Sequence, residues 1–219
     1  MKNIVFDSIL PLLESAVMVT IPLTIIAFIF GLIIAILTAV VRLSHVKVIK
    51  QLFGLYVWIF RGTPLLVQLF IIYFGLPSVG IRLDAWTASV IALSLNTGAY
   101  ASEAIRSAIL SIDVGQWDAA TSLGMSRWMV LRRIIAPQAL RVALPPLSNS
   151  LISLVKDTSL ASSITLLEMF MTSQRIAART FEPLLMYSVV ALYYLVLSTL
   201  LTFLQQYLEK HASRFIREE

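Results

Sequence analysis

The sequence predicts an all-α integral membrane protein with five transmembrane helices. Among its 219 residues, 58% are hydrophobic and 13% are charged, whereas soluble proteins contain about 25% charged residues. The mean hydropathy is +0.87. Long uncharged runs recur along the chain, and basic residues collect between alternate runs. A helix needs about 20 apolar residues to cross a bilayer, so these observations predict a chain that crosses it several times.

Five apolar runs justify the five spans. The first, Ser15 to Val41, contains 27 uncharged residues, whereas the apolar core of a signal peptide has about 7–15, so we expect it to be retained. Arg61 is the one charge in the second run, and Lys156 and Asp157 interrupt the fourth. The predicted spans, within one transmembrane domain of residues 1–219, are about 15–41, 52–77, 85–105, 142–166 and 184–208.

The distribution of basic residues predicts the orientation, because Lys and Arg collect on the cytoplasmic side. Eleven lie after span one, after span three or in the C-terminal tail: Arg42, Lys47, Lys50, Arg106, Arg127, Arg132, Arg133, Arg141, Lys210, Arg214 and Arg217. The opposite side has four, namely Lys2, Arg82, Arg175 and Arg179. We therefore expect the N-terminus outside and the C-terminus in the cytoplasm.

The chain lacks the residues that several kinds of chemistry require. The chain contains no cysteine, which excludes disulfides and thiolate ligands. Its two histidines, His45 and His211, lie in predicted cytoplasmic connections without evident acidic or metal-binding partners, which argues against an enzyme and against a metal site. The net charge of +5 comes from residues between apolar spans and not from a basic run with aromatics, so no nucleic-acid partner is expected.

The longest predicted cytoplasmic segment, residues 110–138, has the pattern of two short helices. Its apolar residues recur at spacings near three and four, Gly124 interrupts them, and Ser126 can cap a second helix. Two arrangements fit this pattern: a helical knob that projects into the cytoplasm, and an interfacial hairpin that lies on lipid headgroups. Periodicity alone does not separate them.

The same segment carries a resemblance to a known family. DAATSLGMSRWMVLRRIIAP, residues 118–137, resembles the cytoplasmic loop of ABC importer permeases, with Asp118 where that loop has Glu and Ala136 where it has Leu. FRGTPLLVQLFIIYFGLP, LNTGAYASEAIRSAI and LPPLSNSLISLVKDTSLASSI resemble the polar amino-acid branch of this family. That branch contains histidine, glutamine, arginine and cystine permeases, and the cystine permeases are the nearest likeness.

The resemblance implies a type I ABC importer permease in a bacterial inner membrane, which is not itself an enzyme and holds no cofactor. Two separate ATPase subunits would bind ATP and Mg²⁺, a second permease subunit, identical or related, would pair with this one, and an extracytoplasmic binding protein would deliver a polar amino acid. The implied ATPase-coupling residues are Asp118, Ala119, Ala120, Gly124 and Pro137. A membrane channel or pore that ATP does not drive is the alternative function.

The charges within the spans are the candidate functional residues. Arg61 lies about 15 Å into span two and Asp157 about 20 Å into span four. A charge at the bilayer centre costs at least about 2.5–3.5 kcal/mol, so these side chains should face protein or a wet cavity. Gly62 and Pro64 follow Arg61, and Pro145–Pro146 precede Asp157, which predicts broken helices that line such a cavity.

Two interpretations of these charges stay open. Arg61 or Lys156 pairs with Asp157 and joins spans two and four, or the charges recognise a zwitterionic substrate through its carboxylate and ammonium groups. Glu103 and Arg106, three residues apart, are expected to form a structural ion pair. The predicted substrate-binding residues are Arg61, Gln68, Asn96, Asp157, Thr158 and Ser159.

Overall fold

The computed structural model describes residues 2–44 and 46–213, and within them the chain is helical, without a β-strand. His45, Arg214 and Arg217, which the sequence places in the cytoplasm, lie outside the described residues. The α-helices are α1 (Lys2–Ser15), α2 (Ile21–Arg42), α3 (Lys47–Gly62), α4 (Leu65–Phe70), α5 (Ala85–Leu110), α6 (Val114–Ser122), α7 (Arg127–Val130), α8 (Ala136–Asp157), α9 (Met169–Thr180) and α10 (Pro183–Ser213).

Short segments of other helix types continue several of these helices. A π-helical segment joins α1 to α2 (Ala16–Thr20), another follows α4 (Ile71–Gly75), and a third joins α7 to α8 (Leu131–Ile135). The 3₁₀ segments are Leu76–Val79 and Thr158–Ile164.

Length and hydropathy identify fewer spans than the five predicted. Within the described residues, Ile4–Arg42 and Pro183–His211 are long and apolar enough to cross a membrane, and the bent pair formed by Lys47–Gly62 and Leu65–Val79 is a third candidate. Helices α5 and α8 have 26 and 22 residues, which matches a bilayer core in length, but both carry charged side chains. The count of five therefore stays a prediction.

Residues 52–77, the second predicted span, form two helices with a sharp bend between them. The chain turns by 109° between Gly62 and Leu65. Thr63 has an extended backbone, with φ −121° and ψ 147°, because the ring of Pro64 disfavours the helical conformation in the preceding residue. The expected break at Gly62 and Pro64 is confirmed, and it divides the segment into α3 and α4.

The fourth predicted span differs from the structure at both ends. Helix α8 begins at Ala136 and passes through Pro145 and Pro146 without a break. The helical turns on either side of the two prolines are held by packing, since Ala143 and Leu147 are buried in the core. After Asp157 the helix narrows to a 3₁₀ segment, and the chain turns at Thr165, where φ is +67°. The break therefore follows the acidic residue, and the expected break at the prolines is wrong.

Helices α2 and α5 form the centre of the molecule through small residues. An added Cβ at Gly98 would approach Cγ2 of Ile34 to 2.8 Å, and one at Gly31 would approach Cβ of Thr97 to 3.0 Å. Such contacts let two helix backbones approach closely, as is usual between helices in membranes. This pair positions the face of α5 that carries the candidate site.

One end of the bundle carries a cluster of three charges, which we call the basic end: Arg42, Glu103 and Arg106. Glu103 accepts hydrogen bonds from Arg42, at the end of α2, and from Arg106, whose Nε lies 2.9 Å away. The predicted Glu103–Arg106 ion pair is confirmed. Because Arg42 joins the same carboxylate, the cluster also ties α2 to α5.

Candidate functional site

A polar cavity of about 510 Å³ lies between the bend after α3, the middle of α5 and the last three turns of α8. It is large enough for an amino acid, and small-molecule sites usually fall in a range of about 300–1,000 Å³. Its walls are formed by Thr63, Pro64, Leu65, Asn96, Thr97, Tyr100, Pro146, Asn149, Ser150, Ser153 and Asp157.

Helix α8 contributes a polar stripe to this cavity. Asn149, Ser153 and Asp157 all line it, and their four-residue spacing places them on one helix face. Sequence reasoning selected Asp157 because of its charge and missed the other two. The repeat of polar residues every four positions was the available signal.

The Asp157 carboxylate forms no salt bridge within the part of the chain that the structure describes. The ion pairs found there join Glu103 to Arg42 and Arg106, so neither Arg61 nor Lys156 bridges to Asp157. Lys156 is exposed and lines a different pocket. Asp157 is half-buried in the cavity wall, which leaves its oxygens available to a cationic or hydrogen-bonding ligand.

Two predicted site residues stabilise the bend between α3 and α4. The buried Gln68 donates from Nε2 to the carbonyl oxygens of Phe60, at 2.9 Å, and Thr63, at 3.1 Å. Its Oε1 accepts from Nδ2 of Asn96 at 3.0 Å. The break leaves such carbonyl groups without helical partners, so Gln68 has a structural role. Asn96 contacts Gln68 and also lines the cavity.

Arg61 lies beside the cavity on the last turn of α3. Its guanidinium carbon is 5.3 Å from the ring centroid of Tyr100, and the Tyr100 hydroxyl donates to the Arg61 carbonyl at 3.5 Å. Tyr100 is part of the cavity wall. Arg61 is therefore next to the site because it contacts Tyr100, an aromatic residue of the cavity wall that the sequence analysis did not select.

Thr158 and Ser159 are not part of this cavity. Thr158 is fully buried, and its hydroxyl donates to the Val155 carbonyl at 2.7 Å. Ser159 lies with Lys156 on a second pocket, of about 540 Å³, against α10. Successive side chains of a helix point about 100° apart around its axis. Thr158 and Ser159 therefore point away from the face that Asp157 presents. The structure therefore does not bring these two residues together with Asp157 on the cavity wall.

The segment between α5 and α8 folds as the helix–turn–helix that the sequence predicts. Gly124 ends α6 with φ +76°, in the left-handed region that favours glycine. Ser126 caps α7, its hydroxyl accepting from the amide of Met129 at 3.4 Å. Both the predicted turn and the predicted cap are confirmed.

This helix–turn–helix has one face fixed to the bundle and one face open. Ala120 is buried with Val130 and Ile135 against residues of α5 and α8. Asp118, Ala119 and Pro137 are exposed, and so are the apolar side chains of Leu123, at 82%, and Trp128, at 63%. A rigid helical surface with exposed apolar residues is suited to contact with another protein.

No group of three or more His, Cys, Asp or Glu side chains that could hold a metal ion occurs among residues 2–44 and 46–213. The site is therefore composed of hydrogen-bonding groups and single charges. Such a set can bind and orient a small polar molecule.

Comparison with known families gives the functional class. Residues 27–214 match the family described as binding-protein-dependent transport system inner membrane component. The chain belongs to this family. It is accordingly the inner-membrane permease of an ABC importer, a translocation subunit and not an enzyme, and the alternative of a pore that ATP does not drive is not favoured.

Curated relatives match the permease over nearly its whole length. It is 47% identical over 215 residues to the L-cystine transport system permease protein TcyB of Bacillus subtilis (strain 168), which covers 98% of this chain and 92% of that protein. It is 38% identical to the nopaline transport system permease protein NocM of Agrobacterium fabrum, over 92% of this chain and 89% of that protein.

Solved structures share the fold of the permease. An amino acid ABC transporter crystallised with histidines has 35% identity and a TM-score of 0.87, over 92% of this chain and 94% of that chain. The MetNI methionine ABC transporter in an inward-facing conformation has 20% identity and a TM-score of 0.72, over 98% of each chain, which shows the fold alone. The all-helical type I permease fold expected from the sequence is confirmed.

Proposed function

We propose that the permease carries a polar amino acid through the cavity that Asp157 lines, in an importer driven by ATP. The observation that carries this proposal is an unpaired carboxylate in the wall of a polar cavity of about 510 Å³. A charge costs free energy at membrane depth unless it faces water or a ligand, and an amino acid has an ammonium group to match it. The relatives named for L-cystine and nopaline transport support this substrate class.

L-cystine is the first specific candidate because the L-cystine relative shares 47% identity over nearly the whole chain. In the proposed site, Asp157 accepts from the substrate ammonium. Asn96, Asn149 and Ser153 offer neutral hydrogen bonds, and Arg61 is available to a carboxylate. Gln68 supports the bend. Thr158 and Ser159 are left out of the proposed set because they do not reach the cavity.

The proposed assembly has five spans within the domain of residues 1–219, the N-terminus outside and the basic end in the cytoplasm. Two ATPase subunits, which bind ATP and Mg²⁺, contact the segment 110–138 through Asp118, Ala119, Ala120, Gly124 and Pro137, with Leu123 and Trp128 as apolar contacts. A second permease subunit and an extracytoplasmic binding protein complete the importer. The basic residues beside α6 and α7 support this orientation.

The proposed mechanism needs only two states of the permease. A loaded binding protein docks outside, closure of the ATPase dimer moves α6 and α7, and the cavity opens outward to receive the amino acid. ATP hydrolysis then closes the outward opening and opens the cavity to the cytoplasm. The helix–turn–helix suits this role because a packed helical body transmits movement that a flexible loop would absorb.

The test is uptake by proteoliposomes that contain the permease, its ATPase and its binding protein. Asp157→Asn removes the carboxylate charge and keeps the size. Because hydrogen bonds to charged groups contribute about 1.5–3 kcal/mol, the rate of uptake at a saturating concentration of loaded binding protein should fall about 10- to 100-fold. Lys156→Gln is the matched control, since Lys156 is adjacent in sequence but outside the cavity, and it should behave as wild type. Unchanged uptake by Asp157→Asn would refute the proposed site.

A further inference from the structure

Arg61 and Tyr100 form a contact beside the cavity that the proposed function leaves unexplained. The Arg61 guanidinium is exposed and lies over the Tyr100 ring, 5.3 Å from its centroid. Within the described residues it forms no ion pair with an acidic side chain. Tyr100 is 47% exposed and lines the cavity. A cation is thus held at the edge of the site by an aromatic face alone.

The two opposite charges lie on different sides of the cavity. Asp157 lies on the α8 side of the cavity, whereas Arg61 is next to Thr63 and Pro64, which form the wall at the bend. Tyr100 follows Asn96 by four residues on α5, so both side chains face the same cavity. An amino acid whose ammonium group binds Asp157 can turn its carboxylate toward the side on which Arg61 is held.

The two contacts of the guanidinium can coexist. A cation–π contact at an exposed site is weak, whereas an Arg–carboxylate pair with two parallel charge-assisted hydrogen bonds is strong and geometrically specific. Because the ring contacts the face of the guanidinium, the N–H groups at its edge stay free to donate to a carboxylate while the ring keeps the side chain in place. The backbone of Arg61 stays in place meanwhile, because Gln68 and Asn96 bind the adjacent Phe60 carbonyl.

We infer that Tyr100 is a positioning residue that holds Arg61 beside the cavity, where its guanidinium binds the α-carboxylate of the substrate. The inference rests on the proposed function, since it assigns a recognition step to the same cavity. It makes the permease itself selective for substrates with a free α-carboxylate, independently of the binding protein.

The test is equilibrium binding to the permease–ATPase complex in nanodiscs without the binding protein, which would impose a selectivity of its own. The probes are L-cystine with L-cystine diamide, and L-arginine with L-argininamide. The wild-type complex should bind the carboxylate form of at least one pair more tightly than the amide. Arg61→Gln should abolish this preference. Tyr100→Leu should reduce it about two- to fivefold, whereas Tyr100→Phe, which retains the ring, should preserve it.

Asp157→Asn separates the failure of the inference from that of the proposed function. It should weaken binding of the carboxylate and amide forms equally, because both carry the ammonium group. If Asp157→Asn weakens binding while Tyr100→Leu keeps the wild-type preference, the inference is wrong and the proposed function stands. A loss in Tyr100→Phe as large as in Tyr100→Leu would also overturn it. If no probe binds the wild-type complex, both fail.

Discussion

Asp84 shows how a single exposed residue sets the start of a functional helix. It precedes α5, and its carboxylate accepts from the backbone amide of Thr87 at 3.0 Å and from the Thr87 hydroxyl at 2.7 Å. These hydrogen bonds lower the pKa of Asp84 below its ordinary value. Because the folded state holds the carboxylate in its charged form, this stabilisation is present above the ordinary pKa and is lost as the pH falls through the lowered one.

Asp84→Ala should therefore lower the melting temperature of the detergent-purified permease at pH 7, and the difference from wild type should shrink as the pH falls below the ordinary pKa of Asp, 3.8. Asp84→Asn is the matched control because its side chain still accepts a hydrogen bond but does not titrate. Thermal unfolding followed at several pH values gives the comparison. A difference between wild type and Asp84→Ala that stays constant with pH would contradict the assigned cap.

Single residues also show the limit of what the sequence predicts about the site. Arg61 and Asp157 could be selected because a charge is rare within an apolar span. Tyr100 could not, since neutral polar and aromatic residues are common in membrane helices and most of them join helices. Which of them face the cavity depends on how α5 and α8 are rotated against each other, and that rotation is a property of the packed molecule.

At the scale of whole elements, hydropathy predicted the middles of the helices better than their ends. The break at Gly62 and Pro64 was predictable because both residues disturb a helix locally. The passage of α8 through Pro145 and Pro146 was not, because it depends on neighbouring helices that hold the turns together. The turn at Thr165 was also missed, since a threonine with positive φ carries no sequence signal of the kind that glycine gives.

Glu168, which the sequence analysis did not select, joins α9 to α10. Its carboxylate is fully buried and caps α9, accepting from the amides of Phe170 at 2.7 Å and Met171 at 2.6 Å. It also accepts from the hydroxyl of Tyr194, on α10, at 2.9 Å. The first amide of α9 donates to the hydroxyl of Thr20, in the π segment after α1. Glu168 and Thr20 together fix the position of α9.

Glu168→Ala should lower the free energy of unfolding by about 2–4 kcal/mol, because it leaves buried donors without acceptors and removes a helix cap. Tyr194→Phe removes only one of these hydrogen bonds and should cost about 1 kcal/mol. Thermal unfolding of both variants in the same detergent measures the two effects. A Glu168→Ala variant as stable as Tyr194→Phe would show that the two amides find other partners.

At the scale of the whole molecule, α8 connects the cavity to the helix–turn–helix. Pro137, in its first turn, and Asp157, its last residue, are 20 positions apart, which corresponds to about 30 Å of helix. Helix α5 runs beside it, with Tyr100 at the cavity and Ala108 in the cluster that buries Ala120 of α6. A displacement of α6 therefore reaches the cavity through two packed helices, which is the geometry that the proposed coupling requires.

Gly124 is the residue at which this coupling can be tested without disturbing the bundle. An added Cβ would meet no atom within 4 Å, yet φ is +76°, so a β-branched side chain adds strain of roughly 1–2 kcal/mol to the turn alone. Gly124→Val should insert normally and bind substrate as wild type does. ATP-driven uptake in proteoliposomes should fall roughly 5- to 30-fold, because strain of this size lowers the population of the unstrained turn conformation by about that factor.

Gly124→Asn is the matched control because asparagine tolerates the left-handed conformation. Uptake close to wild type in Gly124→Asn, together with a loss in Gly124→Val, would show that the backbone of the turn carries the coupling. A loss in both variants would instead place the Gly124 surface directly against the ATPase, where any side chain interferes. Wild-type uptake in Gly124→Val would contradict the coupling role of the turn, because α6 would then tolerate a strained connection to α7 while still driving the cavity.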